Sequence, residues 1–199
     1  ASTPLAAARV FEMASNVAIE FEHAHAAHCE SGTFAALLRH HGLRLSEPLV
    51  FGIGSGLFFL HVPFIRLYDV PITAYRDLPN AIIGRAARRL GVRLRRQRFR
   101  NSGSAMRALD RLLDARQPVG MQTGVFWLGY FPRDMRFQFN GHHVIAYGRD
   151  GGDYLLSDTV FESTVRCPAE QLERARFSKG PLAPRGLQYV VESIAPSPD

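Results

Sequence analysis

A cysteine that follows several histidines is the first place in the chain where side chains could do covalent chemistry. His23, His25 and His28 precede Cys29. Apolar residues recur at helical spacing after Cys29 and predict a helix that begins there and stops near Gly42. Unpaired N–H groups at the start of a helix favour a thiolate, and a neighbouring imidazole lowers the thiol pKa further. Cys29 is therefore a candidate nucleophile, and the alternative is a small buried cysteine without a chemical role.

A second candidate group lies far along the chain, in a predicted β-hairpin. One strand opens at His142 and His143, a glycine-rich turn follows at 149–153, and the return strand ends at Ser157 and Asp158. The start of one hairpin strand lies beside the end of the other, so we expect His142 and Asp158 to be neighbours. Cysteine, histidine and an orienting acid form the set that thiol catalysis needs. Side chains alternate along a strand, so only one of the two histidines can face the cysteine, and the periodicity does not choose between them.

Zinc binding is a rival use of the first cluster, because imidazole and thiolate are both zinc ligands. The spacing of His23, His25, His28 and Cys29 is not that of a zinc finger, and no second ligand pair completes a site. We rank thiol catalysis above metal binding and expect neither a metal nor a cofactor. Cys167 has no histidine nearby in the sequence and is expected to be structural.

The composition places the chain among ordinary globular proteins. Of 199 residues, 46% are hydrophobic and 21% are charged, which excludes mainly disordered, collagen-like and coiled-coil states. The length predicts a single domain over residues 1–199, with 1–20 as a lead-in that contains a short amphipathic helix near Leu5 to Met13. Neither a membrane helix nor a signal core is visible, and the two cysteines do not make a disulfide scaffold, so we expect a cytoplasmic protein.

The positive charge is concentrated in one stretch of the chain. The net charge is +6, and eight arginines fall between residues 85 and 100. Such a stretch could meet nucleic acid, a membrane surface or an acidic protein. We favour a solvated helix face followed by an exposed edge strand, because edge strands often carry charge.

The order of predicted elements indicates an α+β fold, since helices come first and an antiparallel sheet follows. Ser46, Glu47 and Pro48 have the residue types of a helix start. Further helices are predicted at 79–90, 102–116 and 168–176, and strands at 92–99, 119–126, 142–147, 154–157 and 187–192. Residues 58–75 contain two prolines among aromatic side chains and are predicted to be irregular.

Three early stretches of the chain, His28–Ser31, His41–Leu43 and Ser46–Gly56, resemble the N-terminal domain family of butirosin biosynthesis protein H. This family is similar to papain-like thiol enzymes, including the bacteriocin-processing peptidases. Three later stretches resemble the second half of such enzymes, namely Gln117–Val119, His142–Gly148 and Ser157–Asp158. The resemblance implies a papain-like cysteine protease fold, with the nucleophile at a helix start and N-terminal helices packed on an antiparallel sheet.

The resemblance also implies roles for individual residues. Cys29 would be the nucleophile, His142 the base and Asp158 the acid that orients the base. Papain-like enzymes usually place a glutamine six residues before the nucleophile as an oxyanion donor. His23 occupies that position, and its imidazole could donate in place of the glutamine.

Three functions are compatible with these residues. The first is a thiol acyltransferase of natural-product biosynthesis, which moves an acyl group from an acidic acyl carrier protein or coenzyme A through an acyl-cysteine to an amine, as the namesake of the family does with an aminoglycoside. Under this hypothesis neither nucleic acid nor a membrane is a partner, and an intramolecular amine would give cyclisation. The second is a cysteine peptidase, amidase or thioesterase. The third is an arginine-rich nucleic-acid-binding protein in which Cys29 is structural.

Overall fold

The computed structural model describes residues 16–67 and 69–196, and the predicted helix near Leu5 to Met13 lies outside them. The helices of the described residues are α1 (Cys29–His40), α2 (Glu47–Ile53), α3 (Ala81–Arg89), α4 (Ser102–Asp114) and α5 (Ala169–Arg176). All five were predicted, with ends shifted by a few residues. Serine 46 caps α2 as expected, because its Oγ accepts a hydrogen bond from the Leu49 N–H at 3.4 Å.

The strands form a main antiparallel sheet and a separate hairpin. They are β1 (Val17–Ala18), β2 (Leu57–Leu67), β3 (Val70–Arg76), β4 (Val92–Gln97), β5 (Val119–Thr123), β6 (His142–Asp150), β7 (Asp153–Ser157), β8 (Val165–Pro168) and β9 (Gln188–Ile194). Among the described residues the main sheet has the order β4-β9-β5-β6-β7-β8, and β1 pairs with one end of β6. Helices on an antiparallel sheet confirm the α+β class.

The prediction for residues 58–75 was wrong, because they form the two-stranded hairpin β2–β3. Proline argues against a central strand but is tolerated in a strand with a free edge or at a bulge. Pro63 lies where the pairing skips from Val62 with Ile72 to Arg66 with Pro71, so it occupies such a bulge. The prediction for 119–126 was too long, since β5 ends at Thr123 and a 3₁₀ turn follows.

The sheet has a core on each face, and strand β6 shows why. Val144 packs with the apolar residues of α4 and α5, whereas Ile145 packs with those of α1 and α3. Successive side chains of a strand point to opposite faces, so β6 is buried on both sides. Helix α1 therefore lies against the face to which His143 and Ile145 point. In the described ranges no helix is both long and apolar enough to cross a bilayer.

Candidate active site

Cys29 is the first residue of α1, and its position follows from the local sequence. His28 has an extended backbone and occupies the N-cap position, so Cys29 lies at the end of the helix where N–H groups lack intrahelical partners. The side chain is partly exposed. A thiol at this position is open to a substrate and also lies at the positive end of the helix dipole.

Asp158 is held against α1 by a close approach of two chain segments. The Ala26 N–H donates to the Thr159 carbonyl at 2.9 Å. A Cβ at Gly32 would lie only 2.6 Å from the Ala26 Cβ and 3.2 Å from Thr159, so a side chain there would push the segments apart. The glycine on the first turn of α1 thus brings the segment that carries Asp158 next to the helix that carries Cys29.

His142 and Asp158 are neighbours in the structure, as the pairing of the two predicted hairpin strands required. His142 Nε2 lies 2.8 Å from Asp158 Oδ2, and both side chains are buried. This contact leaves Nδ1 of the ring for the thiol of Cys29. The Asp158 carboxylate also accepts from Tyr130 Oη at 2.8 Å and from the Val160 N–H at 3.1 Å. Three donors fix the carboxylate, and the carboxylate fixes the orientation of the imidazole.

The electrostatics of the pair favour a thiolate and an imidazolium. Burial lowers the pKa of His142, but the charge and hydrogen bond of Asp158, with the contribution of Cys29, raise it to about 10. Burial raises the pKa of Cys29, but its hydrogen bond with His142, the charge of that ring, the His143 N–H and the charge of Arg76 together bring it below its ordinary value. The ion pair therefore persists between the lowered pKa of Cys29 and the raised pKa of His142.

The side chain of His143 points to the opposite face of β6 from that of His142, the face on which the body of α1 packs. Its Nδ1 lies 3.0 Å from Tyr189 Oη, and its ring is fully buried. Burial first, and then nearby positive charge, keep its pKa well below the ordinary value, so the ring is neutral. Of the two histidines at the start of β6, only His142 contacts Asp158.

Both ring nitrogens of His23, which was expected to donate to the oxyanion, contact the segment around Asp158. Its Nε2 lies 3.0 Å from the Phe161 carbonyl oxygen, which can only accept, so this nitrogen carries the proton. Its Nδ1 lies 2.8 Å from Ser157 Oγ. Both nitrogens are therefore engaged. The ring instead bridges Ser157 and Phe161, which flank Asp158 in the chain. The donor that we expect an oxyanion to use is the backbone N–H of Cys29.

A hydrogen-bonded chain next to Cys29 was not predicted from the sequence. Arg76 Nη1 lies 2.6 Å from His28 Nε2, and His28 Nδ1 lies 2.8 Å from Ser31 Oγ and 3.3 Å from the Ser31 backbone nitrogen. The Ser31 hydroxyl in turn donates to Glu47 Oε1 at 2.5 Å. Burial and then Arg76 lower the pKa of His28 to about 4, in agreement with a neutral ring. The chain joins the hairpin, α1 and α2 around the thiol.

Glu30, the residue after the candidate nucleophile, ties the same region to α3. Its fully buried carboxylate accepts from the Ile83 N–H at 3.0 Å, in the first turn of α3, and Arg76 Nη1 lies 3.5 Å away. A carboxylate at a helix N-terminus is stabilised by the free N–H groups there. Arg76 therefore contacts both neighbours of Cys29, His28 and Glu30, and is the clearest site residue that sequence reasoning missed.

The histidines before Cys29 do not converge. His23 binds the Asp158 segment, His25 Nδ1 lies 3.7 Å from Glu162, and His28 binds Arg76. Within the described ranges no group of three or more His, Cys, Asp or Glu side chains is placed to hold a metal ion. Cys167 is buried in the core, and burial and then the charge of Asp153 raise the pKa of its thiol to about 12.

The arginines of residues 85–100 divide into two groups. Arg85 and Arg89 donate to backbone carbonyls at the end of α2 and beyond it, and Arg93 and Arg95 pair with Glu192. Strand β4 lies at the edge of the sheet, as predicted. Among the described residues, the exposed arginines of this stretch with neither an ion pair nor a side-chain hydrogen bond are Arg88, Arg96, Arg98 and Arg100.

Replacing Arg76 by glutamine is expected to make Cys29 less reactive at low pH. The guanidinium lowers the pKa of the thiol, so its loss moves the alkylation–pH profile upward by about one pH unit or less, since a charge interaction near a protein surface is worth on the order of 1 kcal/mol. Iodoacetamide labelling of Cys29 at several pH values measures the midpoint. Arg76→Lys should restore part of the shift, and Arg66→Gln on the same hairpin is the matched control. An unchanged midpoint in Arg76→Gln would contradict the assignment.

The sequence of the chain matches a family model, and its structure is similar to solved structures. Residues 28–159 match the family model described as butirosin biosynthesis protein H, N-terminal. A C39-like peptidase from Bacillus anthracis has a similar structure, with a TM-score of 0.59, 15% identity, and coverage of 91% of this chain and 100% of that one. The peptidase domain of Streptococcus ComA, a bifunctional ABC transporter of a quorum-sensing pathway, also has a similar structure. Its TM-score is 0.55 and its identity 14%, and the match covers 86% of this chain and 97% of that one. No curated protein matches the chain. The likeness to these peptidases shows the predicted papain-like fold.

Proposed function

Since the chain belongs to the family described as butirosin biosynthesis protein H, N-terminal, and has a papain-like fold, we propose that it is a cysteine-dependent acyltransferase. In this proposal it moves an acyl group from a carrier-protein or coenzyme A thioester to an amine in natural-product biosynthesis. The observation that carries the proposal is the placement of Cys29 at a helix N-terminus beside the buried His142–Asp158 pair. Family membership favours a thioester donor over a peptide.

The first half of the proposed reaction loads the enzyme. The Cys29 thiolate attacks the thioester carbonyl, a C–S bond forms, and the oxyanion is stabilised by the Cys29 backbone N–H. The intermediate collapses with cleavage of the donor C–S bond. His142 gives its Nδ1 proton to the departing thiolate sulfur, so that a free thiol leaves and the acyl group remains on Cys29.

The second half transfers the acyl group to the amine. Neutral His142 accepts a proton from the amine nitrogen as that nitrogen attacks the acyl-cysteine carbonyl. The amide forms, the bond to Cys29 breaks, and the thiolate–imidazolium pair returns. Asp158 keeps the proton on Nε2 throughout, so that Nδ1 is the nitrogen that exchanges protons.

Peptide or amide hydrolysis is the second candidate, because both similar structures named above are peptidases by their names. The two candidates differ in the donor they use. A panel of acyl thioesters with amines, run beside peptides with the same acyl residues, separates them. Amide formation that requires Cys29 supports the acyltransferase, whereas peptide cleavage without thioester turnover supports the peptidase.

We expect the exposed arginines at 98 and 100 to help bind an acidic carrier protein. Complementary charge speeds association and is weakened by salt. The double variant Arg98→Glu with Arg100→Glu should raise KM for a carrier-bound substrate several-fold and leave a small thioester unchanged. Arg107→Glu with Arg111→Glu on α4 is the matched control, because it changes the net charge equally at other exposed arginines. Equal loss on both substrates would contradict a docking role.

A further inference from the structure

A cavity of about 350 Å³ lies at one end of the main sheet, and its volume is within the range of small-molecule sites. Gln122 lines it from β5. Because Gln122 is paired with His143 on β6, its side chain points to the face of the sheet on which α1 packs. The lining also includes two residues that precede α3 and two arginines, namely Pro79, Asn80, Arg98 and Arg185. We call this space the arginine cavity.

The arginine cavity carries positive charge that no carboxylate in its lining neutralises. Among the described residues, neither Arg98 nor Arg185 has an ion pair or a side-chain hydrogen bond, and no Asp or Glu lines the cavity. The Phe99 N–H donates to the Arg185 carbonyl at 3.2 Å, so the two arginines lie on adjacent segments. Two other cavities each contain Glu170, whose carboxylate pairs with Arg174. Two guanidinium groups without a protein partner favour an anionic ligand, and their geometry suits phosphate.

Buried amides hold the loop that presents Arg185. Gln122 Nε2 donates to the Leu182 carbonyl at 2.8 Å, and Asn140 Nδ2 donates to the Pro181 carbonyl at 2.9 Å. The backbones of Leu182 and Arg185 are left-handed, with φ of 56° and 51°, which costs free energy for residues that carry a Cβ. The loop is thus held in a conformation that its side chains disfavour, and the arginine is positioned before a ligand binds.

The arginine cavity borders the Cys29–His142 pair. A Cβ at Gly141, the residue before His142, would lie 2.9 Å from Pro79 Cγ, so the wall of the cavity touches the start of β6. Gln122 lies on β5 opposite the residue that follows His142. A ligand in the cavity therefore lies beside the strand that carries the base, on the side towards β4.

The distance across the sheet fits one chemical group of the proposed donors. In the order β4-β9-β5-β6, the outer two strands are three spacings apart, roughly 14 Å at about 4.8 Å each. Arg98 directly follows β4, which ends at the same end of the sheet where His142 opens β6. Carrier proteins and coenzyme A both present their thiol on a phosphopantetheine arm. Extended, it spans roughly 15 Å from phosphorus to sulfur, since about 13 bonds each advance about 1.1–1.2 Å, as in an extended polypeptide.

We propose that the arginine cavity binds the phosphate of a phosphopantetheine arm while the thioester at the other end of the arm lies at Cys29. The inference rests on the proposed function and adds the part of the donor that the protein recognises. Arg98 and Arg185 donate to the phosphate oxygens, and the arm runs along the end of the sheet past Gln122. Because coenzyme A and carrier proteins share the arm, the cavity serves a donor from either source.

The test compares two donors that differ only in the phosphate, an acyl-phosphopantetheine and the same acyl-pantetheine. Mass spectrometry of the intact protein follows the loading of Cys29 at donor concentrations below saturation. The phosphorylated donor should load about 10- to 100-fold faster, as expected for hydrogen bonds to a charged group. In Arg98→Gln with Arg185→Gln the ratio of the two rates should fall to about 1. Arg88→Gln with Arg107→Gln is the matched control, because it removes the same charge at exposed arginines outside the cavity, and it should keep the ratio.

Acyl-coenzyme A and an acyl carrier protein, run beside this pair, distinguish the two sources of the arm. Slower loading from at least one of them in Arg98→Gln with Arg185→Gln supports the inference and identifies that source. Equal loading by the two small donors, or a ratio that this double variant leaves unchanged, overturns the inference while the proposed function stands. Loading of Cys29 by no thioester overturns both. Thermal unfolding establishes that each variant folds.

Discussion

Replacement of His142 by alanine is expected to lower kcat/KM for acyl transfer by at least about 100-fold, whereas His143→Ala should retain most of the activity. General acid–base catalysis by a positioned side chain contributes roughly 10²–10⁴-fold. His142 contacts Asp158 and hydrogen-bonds with Cys29, so it is the ring that can exchange a proton with the substrate. His143 is neutral, buried and turned towards Tyr189.

Two controls keep this comparison interpretable. Loss of His143 leaves the Tyr189 hydroxyl without its partner in the core, so thermal unfolding of each variant should be measured beside its activity. The rate of Cys29 alkylation near neutral pH should fall in His142→Ala, because the imidazolium stabilises the thiolate. An inactive, folded His143→Ala together with an active His142→Ala would show that His143 is the base and would contradict the assignment of His142.

His142 and Asp158 lie at the same end of the β6–β7 hairpin, and this is why their contact could be predicted from the sequence. A tight glycine turn, strand alternation and an acid at the end of the return strand are local signals, and together they determine which residues become neighbours. The start of α1 at Cys29 has local signals too. The His142–Asp158 contact and the start of α1 both depend on residues close to each other in the sequence, and the periodicity of side-chain types reflects that local geometry.

The residues that were missed, and the surroundings of His23, depend on contacts between distant segments. Arg76 looked like one arginine among many, and it reaches His28 only because β3 ends beside α1. Tyr130 belongs to an aromatic run that resembles core, and its bond to Asp158 is set by packing. His23 was assigned to the oxyanion through its position in the chain, but both ring nitrogens bind the Asp158 segment.

The exposure of the apolar residues after Leu57 could not be predicted from the sequence for the same reason. Their apolar character was correct, but the hairpin projects from the protein and Phe59 and Phe64 are exposed. Apolar composition predicts burial in general, and it does not say whether the burial occurs within one chain or against a partner.

Incubation of the protein with an acyl thioester and no amine is expected to give a covalent adduct on Cys29. The thiolate–imidazolium pair supplies a nucleophile at neutral pH, and the acyl-cysteine has only water to react with until an amine is added. Mass spectrometry of the intact and digested protein should place one acyl group on the peptide that contains Cys29. Addition of the amine should discharge the adduct to an amide, because a neutral amine is a much better nucleophile than water.

The chain supplies its own matched control for this experiment in a second thiol. Burial raises the pKa of Cys167 to about 12, so that thiol is protonated and hidden in the core at neutral pH. Cys167→Ser should therefore keep the adduct, whereas Cys29→Ser should lose it by several orders of magnitude in rate, since an alcohol is a far weaker nucleophile. An adduct on Cys167 would contradict the assignment of Cys29. Peptide cleavage that needs Cys29, with no adduct from any thioester, would leave the peptidase as the function of the site.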